Sequence, residues 1–415
     1  MRTDVNYHRI LHEYLLATEN EISIDSAQYK RINIYSHSMG CLPRPSRWSS
    51  LLKKYGLLLV FFAHVLRVFW VAFIGCIYAL YEALVFAKQW KQLHCDQWPS
   101  VSDYILSFSY RASKIVPQFI VEDYAVITMP WEPAVTTAKN VSLCVLLDPY
   151  DIVRSYVLSI ASILYMSIHG RLPWILQTFT AFRWFVAYLG ISKLEGHLYI
   201  AEHYDRWAVL ADVVAGQKNG RSGGGSNKLS LIQHGSLKNL AMDESFVFDI
   251  SLEYRMNNVQ ELFVYDEYSK NIFLTYIIGK ECTPKIQYFK PVISTVPMGR
   301  RDSRKILFVG HPSSELLQCA MEEYLRSFEN IELYYKPHPK NPATSMVTNR
   351  TWEIIESVDV FPTVDYIVSY PSTLINEYEN IGISAFLHPV HVASADLDDQ
   401  IDRFKKWFDD NIRHS

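Results

Sequence analysis

The 415-residue sequence lacks an excess of either charge: 40 Lys and Arg stand against 43 Asp and Glu, a formal net charge of -3. That excludes the broad basic field with which nucleic-acid binders neutralise phosphates, so any anion this chain holds must be held locally. Cysteine is scarce too. The six, Cys41, Cys76, Cys95, Cys144, Cys282 and Cys319, include no CxxC pair. Neither a zinc ribbon nor a disulfide framework is legible, which suits a reducing compartment. The first 25 residues carry Asp4, Glu13, Glu19, Glu21 and Asp25 and no basic stretch followed by an apolar run. No cleavable signal peptide is expected, and the pattern points to the cytoplasm.

What is present is a folded protein of two domains' length, 49% hydrophobic and 20% charged, with enough apolar residues for large cores. Tyr55 to Ala87 contains only His64, Arg67 and Glu82 as titratable polar groups apart from tyrosine and cysteine, between Lys53, Lys54, Lys88 and Lys91. Its longest run free of charge and histidine, Val68 to Tyr81, is shorter than the roughly 20 residues a spanning helix uses. A clean transmembrane span is therefore not expected. A second apolar region, Ile152 to Ile191, is broken by Arg154, His169, Arg171, Pro173 and Arg183 and reads as two or three buried helices. The apolar segments 51–92 and 151–191 either pack on each other or dock one set on a membrane surface.

Elsewhere short β-rich runs alternate with helical ones: Asp103–Phe108, Tyr124–Thr128, Val141–Leu147, Leu198–Ala201, Leu229–Gln233 and Glu261–Tyr265, with helices at His203–Ala215 and Glu267–Ile277. Alternation of this kind predicts an α/β fold with a parallel, doubly wound sheet. Gly216 to Asn227 is Gly- and Ser-rich and reads as a flexible surface insertion. After Pro291–Ser303 a new series begins, with strands Lys305–Val309, Ile331–Tyr335, Tyr366–Ser369 and Ile383–Leu387, and helices Ser313–Phe328, Thr373–Asn380 and Asp396–Ile412. The expected organisation is an N-terminal lobe over 1–295, a second Rossmann-like lobe over 296–395 and a terminal helix over 396–415.

Ligands of open α/β sheets bind outside the carboxyl ends of the strands, so the residues just after each strand are the candidates. Lys336, Pro337, His338, Pro339 and Lys340 hold an imidazole between two ammonium groups on a stiff loop, an anion cradle or an ordinary Pro-rich loop. Ser372 and Thr373 open a helix carrying Glu377, where hydroxyls and unpaired backbone N–H groups suit a phosphate, unless Ser372 is only a cap. His311 and Ser313 follow the first strand of the second lobe and compete with His338 for the same role. In the first lobe His234, between Gln233 and Gly235, is a candidate proton acceptor or a satisfied core histidine. Glu202 and Asp205 stand at a helix entry, either as capping acids or as an acceptor site.

Lys336–Pro337–His338–Pro339 followed by Tyr370–Pro371–Ser372–Thr373 resembles the HP and Ser/Thr motifs of bacterial sialyltransferases and polysialyltransferases, and Gln233–His234–Gly235 is similar to the histidine loop of CDP-glycerol-type capsule polymerases. The resemblance covers roughly residues 200–387. It implies a GT-B fold, two Rossmann-like lobes facing a central cleft, with extra apolar helices in the first. It further implies an enzyme that moves a sialic-acid-like sugar from a CMP-activated donor to a cell-surface glycan or lipid-linked acceptor such as capsule or lipopolysaccharide. His338 would contact the nucleotide phosphate and support the leaving group, with Lys336, Ser372, Thr373, Glu377, His311 and Ser313 around the donor. Those transferases carry paired acids before a glycine as general base; here only Glu195–Gly196 matches, so the base is Glu195 or His234.

Direct displacement of this kind uses a base in one lobe and charge stabilisation in the other, with closure of the lobes completing the site. No metal or other cofactor is expected, since the only AspXAsp triplet, Asp396–Leu397–Asp398, opens the terminal helix. The expected partners are a nucleotide-sugar, the acceptor and the inner face of the cytoplasmic membrane, and no nucleic acid. Two competitors remain: transfer of a polyol phosphate from a CDP-linked donor, and a catalytically silent scaffold on the same fold.

Overall fold

A computed structural model describes residues 6–31, 42–93, 98, 101–109, 112, 115–120, 123–132, 139–219, 227–235, 250–290, 293–338, 343–357, 359–390, 392 and 396–413. The chain divides into two compact units that meet in sequence at Tyr288 and Phe289.

The first unit opens with helices α1 (Tyr7–Arg31), α2 (Ser49–Phe69) and α3 (Gly75–Leu93), the last two joined by a π-type turn, Trp70–Ile74. Then come strands β1 (Asp103–Ser107), β2 (Tyr124–Thr128) and β3 (Asn140–Ser142), and helices α4 (Pro149–Ile168) and α5 (Ala181–Ile191). Strand β4 (His197–Ile200), helix α6 (Arg206–Asn219), strands β5 (Lys228–Ile232) and β6 (Glu261–Val264), helix α7 (Glu267–Ile272) and strand β7 (Lys285–Tyr288) complete it. The seven strands form one sheet in the order β3-β2-β1-β4-β5-β6-β7, every pair parallel. Ile105, Leu106, Ile127, Leu198, Ile200, Leu229, Leu231 and Leu262 have no solvent exposure, as strands covered on both faces require. The chain leaves β1 toward β2 on one side and returns to β4 on the other, so the topological switch lies between β1 and β4.

α1, for which the sequence offered no periodic signal, is buried through Ile10, Tyr14, Leu15 and Ala17 and also through Glu13, Thr18, Asn20 and Asp25. Its polar side chains are bound across the fold. The Asn20 amide donates to the Tyr204 and Tyr254 carbonyls, both at 3.0 Å, and its oxygen accepts the Tyr254 N–H at 2.9 Å. The expected insertion at 216–227 begins later than predicted, because α6 runs on to Asn219. Gln217 is anchored by Glu13 and by the Tyr188 hydroxyl, which offsets the poor helix propensity of Gly216; 220–226 lie outside the described residues. Val141–Leu147 is a strand only to Ser142 and a 3-10 turn afterwards. The segment Lys54–Leu93 is helical apart from a kink at Tyr55, and it and α4 are long and apolar enough, by length and composition, to cross a membrane. His64 and Arg67 interrupt the apolar run without interrupting the helix.

The second unit has strands β8 (Arg304–Val309), β9 (Ile331–Lys336), β10 (Glu353–Ile354), β11 (Tyr366–Ser369) and β12 (Ser384–Leu387), with helices α8 (Glu315–Leu325), α9 (Thr373–Asn380) and α10 (Leu397–Phe408). The sheet order is β10-β9-β8-β11-β12, again all parallel. Alternate residues serve two cores. Ile306, Phe308, Tyr335, Val368 and Phe386 pack with Leu317, Met321, Trp352, Phe404, Phe408 and Ile412. Leu307, Val309, Tyr334 and Ile367 pack on the other side with Ile355, Val364 and Tyr378. The terminal helix therefore belongs to this unit: Phe404, Phe408 and Ile412 are core residues, and 396–415 is not a separate segment. Lys336, Val309, Ser369 and Leu387 lie in one register row across four strands, which delivers the residues after them to one edge.

Candidate functional site

In the first unit the carboxyl ends of β1, β4 and β5 bring Glu202, His203 and His234 to one edge. Ile105 is in register with Tyr199, and Tyr199 with Ser230, so Glu202 stands level with Phe108 and Gln233. Gln233 is a clamp: its oxygen accepts the Tyr265 N–H at 2.9 Å and its amide donates to Ser269 Oγ at 3.1 Å. That fixes the chain direction into His234. The Ala201 carbonyl accepts from His234 Nδ1, and the His234 N–H donates to His203 Nε2 at 3.1 Å. These partners assign the tautomers: His234 carries its proton on Nδ1 and a lone pair on Nε2. The two rings lie 4.2 Å apart, and His203 also packs edge-on to Phe273 at 5.0 Å.

Glu202 and Asp205 separate in role. Asp205 Oδ1 accepts the N–H groups of Trp207 at 2.9 Å and Ala208 at 3.0 Å, so it caps α6, and its expected place in an acceptor site is corrected to a structural one. Burial and then Glu21 push its carboxyl up to about 6, against the pull of the cap bonds and Arg206. Glu202 is 5% exposed, and both its oxygens lie buried without a hydrogen-bond partner among the described residues. Burial, reinforced by the negative charge of Asp205, lifts it to about 8, and the Ser109 hydroxyl offsets only part of this. It is a carboxylic acid held protonated near neutral pH.

Beneath this edge Arg206 is fully buried. It donates from Nη1 to the Gln177 carbonyl at 3.2 Å and from Nη2 to Gln177 Oε1 at 2.6 Å, with Glu21 at 3.3 Å from Nε. The pair keeps Glu21 below the usual carboxylate range in spite of burial. Three aromatic rings also stack nearby: Phe108 on Trp207 at 5.1 Å and Trp131 on Trp207 at 5.8 Å. They follow β1, β2 and β4 and pack as a stack that the sequence reading missed, with Phe108 buried and the Arg183 guanidinium over the Trp131 ring at 5.8 Å. The available signal was tryptophan placed soon after a strand.

Glu195 is elsewhere. It is exposed and precedes β4, so the strand's length separates it from Glu202. Gly196, at φ +143, is there because a Cβ would sit 2.1 Å from the Ser102 carbonyl oxygen. The Glu195–Gly196 pair is thus a strand-entry turn, at the opposite end of β4 from Glu202.

In the second unit β8 and β11 flank the switch point. His311 after β8, His338 after β9, and Tyr370 and Ser372 after β11 gather there. The His311 ring lies 6.0 Å from that of His338 and 5.3 Å from that of Tyr370, edge-on to both. Gly310 permits this: its N–H donates to the Lys336 carbonyl at 2.8 Å, and a Cβ would come 2.1 Å from the Tyr335 hydroxyl. His311 Nδ1 accepts the Ser313 N–H at 3.2 Å, so the neutral ring carries its proton on Nε2 and can donate to an anion. Ser313 is exposed, and its contribution here is that backbone bond. Burial pushes the Tyr370 phenol up to about 12, which keeps it a hydrogen-bond donor.

Ser372 sits at the N-cap position of α9 but makes no side-chain cap bond, and its hydroxyl lies 3.3 Å from Ser369 Oγ. Thr373 begins α9, its side chain outside the described residues, as are Pro339 and Lys340; Glu377 is half-buried one turn further on. Lys336 is corrected: its ammonium is buried and donates to the Ser357 and Val360 carbonyls, both at 2.8 Å, where it ties a loop to β9. Behind the edge, His388 is buried and 2.9 Å from the Gln318 amide; burial holds its ring down to about 4, so it is neutral packing and no charge source. Among the described residues no group of three His, Cys, Asp or Glu side chains is placed to hold a metal ion.

No protein-family description and no curated protein matches the sequence. Solved structures do. The S. aureus MnaA structure with UDP aligns over 75% of this chain and 89% of its own at 9% identity and a TM-score of 0.39. UDP-GlcNAc 2-epimerase from Neisseria meningitidis, bound to UDP-GlcNAc, aligns over 74% and 91% at 13% identity and a TM-score of 0.40. Both scores lie below 0.5.

Proposed function

We propose that this chain is a nucleotide-sugar-dependent glycosyltransferase of the GT-B class, using a CMP-activated donor. The observation that supports it is the gathering of His311, His338, Tyr370 and Ser372 at the switch point of the second sheet. Two imidazoles, a phenol that keeps its proton and a helix start whose cap hydroxyl is uncommitted to the cap make a site for a phosphate. A nucleoside monophosphate leaving group gains negative charge as its bond to the sugar breaks, and an imidazolium beside it stabilises that charge.

In the transfer the acceptor oxygen bonds to the anomeric carbon as the anomeric carbon–phosphate oxygen bond breaks, and a base takes the hydroxyl proton; in the first unit, described by itself, His234 Nε2 is the group suited to that role. Glu202, protonated, donates a hydrogen bond to the acceptor.

Thermal unfolding with CMP, CDP, UDP and GDP, followed by turnover assays with CMP-sialic acid and CDP-glycerol, tests the reading. CMP is expected to raise the transition temperature most, and CMP-sialic acid to be consumed. Turnover of CDP-glycerol without CMP-sialic acid assigns polyol-phosphate transfer instead, and stabilisation by none of the four nucleotides removes the donor site.

A further inference from the structure

The α2–α3 rod has two unlike faces. Toward the protein it presents Leu52, Ala63, Trp70, Ala79, Ala83 and Phe86, all buried. Outward it presents Leu58, Phe62, Phe69, Phe73, Ile77 and Leu84, each between 45% and 63% exposed. These recur at steps of four and seven residues, and the π-type turn at Trp70–Ile74 inserts the extra residue that holds the stripe on one face past the junction. From Leu58 to Leu84 it is about 39 Å long at about 1.5 Å per residue. Helix α4 adds a second stripe of Val153, Val157, Leu164 and Ile168, each at least 56% exposed. Apolar surface this extended marks an interaction site on a protein that has one.

We propose that this outer face docks on an anionic lipid bilayer and lies in its surface without spanning it. Charge supports lipid as the occupant. Glu82 is the only acid between residues 49 and 93, and it is turned inward, accepting Arg183 Nε at 2.6 Å and Nη2 at 2.9 Å. Lys54 at one end and Lys88 and Lys91 at the other are exposed, and cations flanking an apolar helical face suit anionic headgroups. Because both ends are cationic, a second copy laid on the stripe meets like charge in either direction.

Polar anchors exclude spanning. The rod is pinned to the first unit by Arg67 Nη1 on the Pro173 carbonyl at 3.4 Å and by Trp70 Nε1 on Thr178 Oγ1 at 2.7 Å. The Glu82–Arg183 pair and Trp90 Nε1 on the Leu147 carbonyl at 2.9 Å hold the rest. A helix fixed along its inner side offers lipid only its outer side.

Flotation of the full chain with phosphatidylcholine vesicles, with and without phosphatidylserine, tests this independently of any enzymatic reading. The wild type is expected to float with the anionic vesicles and to lose binding as salt is raised. Joint substitution Phe73→Glu and Leu84→Glu, both exposed, should lower the bound fraction about 10-fold or more on either vesicle, with the circular dichroism spectrum unchanged. Lys88→Glu with Lys91→Glu should weaken binding about 10-fold or more on anionic vesicles only. A wild type that stays at the bottom of the gradient with both vesicles, or a glutamate pair that floats as well as wild type, overturns the proposal. So does a solution dimer that the glutamate pair dissociates and that does not float.

Discussion

Replacing Glu202 by Gln tests the central feature of the first unit through stability, before any substrate is known. The carboxyl is 5% exposed and lifted from 4.5 to about 8, first by burial and then by Asp205. A raised folded value means that the folded chain binds this proton more tightly than the unfolded chain. Its contribution is therefore complete below about pH 4.5 and is lost as pH rises toward 8. At about 1.4 kcal/mol for each tenfold, the loss is at most about 5 kcal/mol, and titration shared with Asp205 reduces it to a few. Gln keeps the shape and the hydrogen-bonding groups of the neutral acid but cannot ionise. Glu202→Gln should therefore match wild type in unfolding free energy at about pH 4 and exceed it increasingly from about pH 5 to 8, by a few kcal/mol at the top, with no further gain above that. The same variant keeps a donor where the neutral acid has one, so turnover should be largely retained, whereas Glu202→Ala, which removes the donor, should lose it. Parallel pH profiles for the two proteins refute the reading, since they mean that Glu202 is solvated and ionised in the folded state.

His234→Ala should lower kcat by about 10²- to 10⁴-fold, the range of a lost general base, with the unfolding midpoint little changed; wild-type cellular function in this variant and in His338→Ala together favours the silent scaffold. His311→Ala and His338→Ala should each abolish most of the nucleotide-induced rise in transition temperature while leaving the ligand-free value in place, as differential scanning fluorimetry reads directly. Lys336→Met should do the reverse, costing about 2–3 kcal/mol by leaving the Ser357 and Val360 carbonyls unpaired, with the nucleotide response kept. Glu195→Gln, on the far edge of the sheet, should retain wild-type turnover in the same assay.

The α/β alternation was legible because buried parallel strands write themselves as short apolar runs. Tyr124–Thr128, Tyr366–Ser369 and the helix Thr373–Asn380 were read to the residue. α1 was illegible for a physical reason: its buried face carries Glu13, Thr18, Asn20 and Asp25, so no apolar period marks it. Its polar groups are satisfied by residues as distant in sequence as Tyr254 and Arg206, partners that no local pattern reveals. β7, with the pattern Lys285–Ile286–Gln287–Tyr288, is an edge strand whose alternation over four residues is too short to stand out. α10 looked detachable because it ends the chain, yet its Phe404 and Phe408 complete the core beneath β12.

Site residues divide along the same line. Position after a strand was enough to place His234, His311, His338 and Ser372 at carboxyl edges, because in a parallel sheet that edge is fixed once the strands are. It could not rank residues within one loop. Glu202 and Asp205 are three residues apart in the same loop and equally acidic on paper. What separates them is that α6 begins at Arg206 and aims two N–H groups at Asp205, while at Glu202 burial outweighs the donors that would keep it ionised. Lys336 and His338 divide in the same way. The last residue of β9 turns its ammonium inward to two carbonyls, and the residue two further on meets His311 at the edge. Which of two neighbouring polar side chains is tied to the fold is decided by the direction of a few N–H and C=O groups at the strand ends.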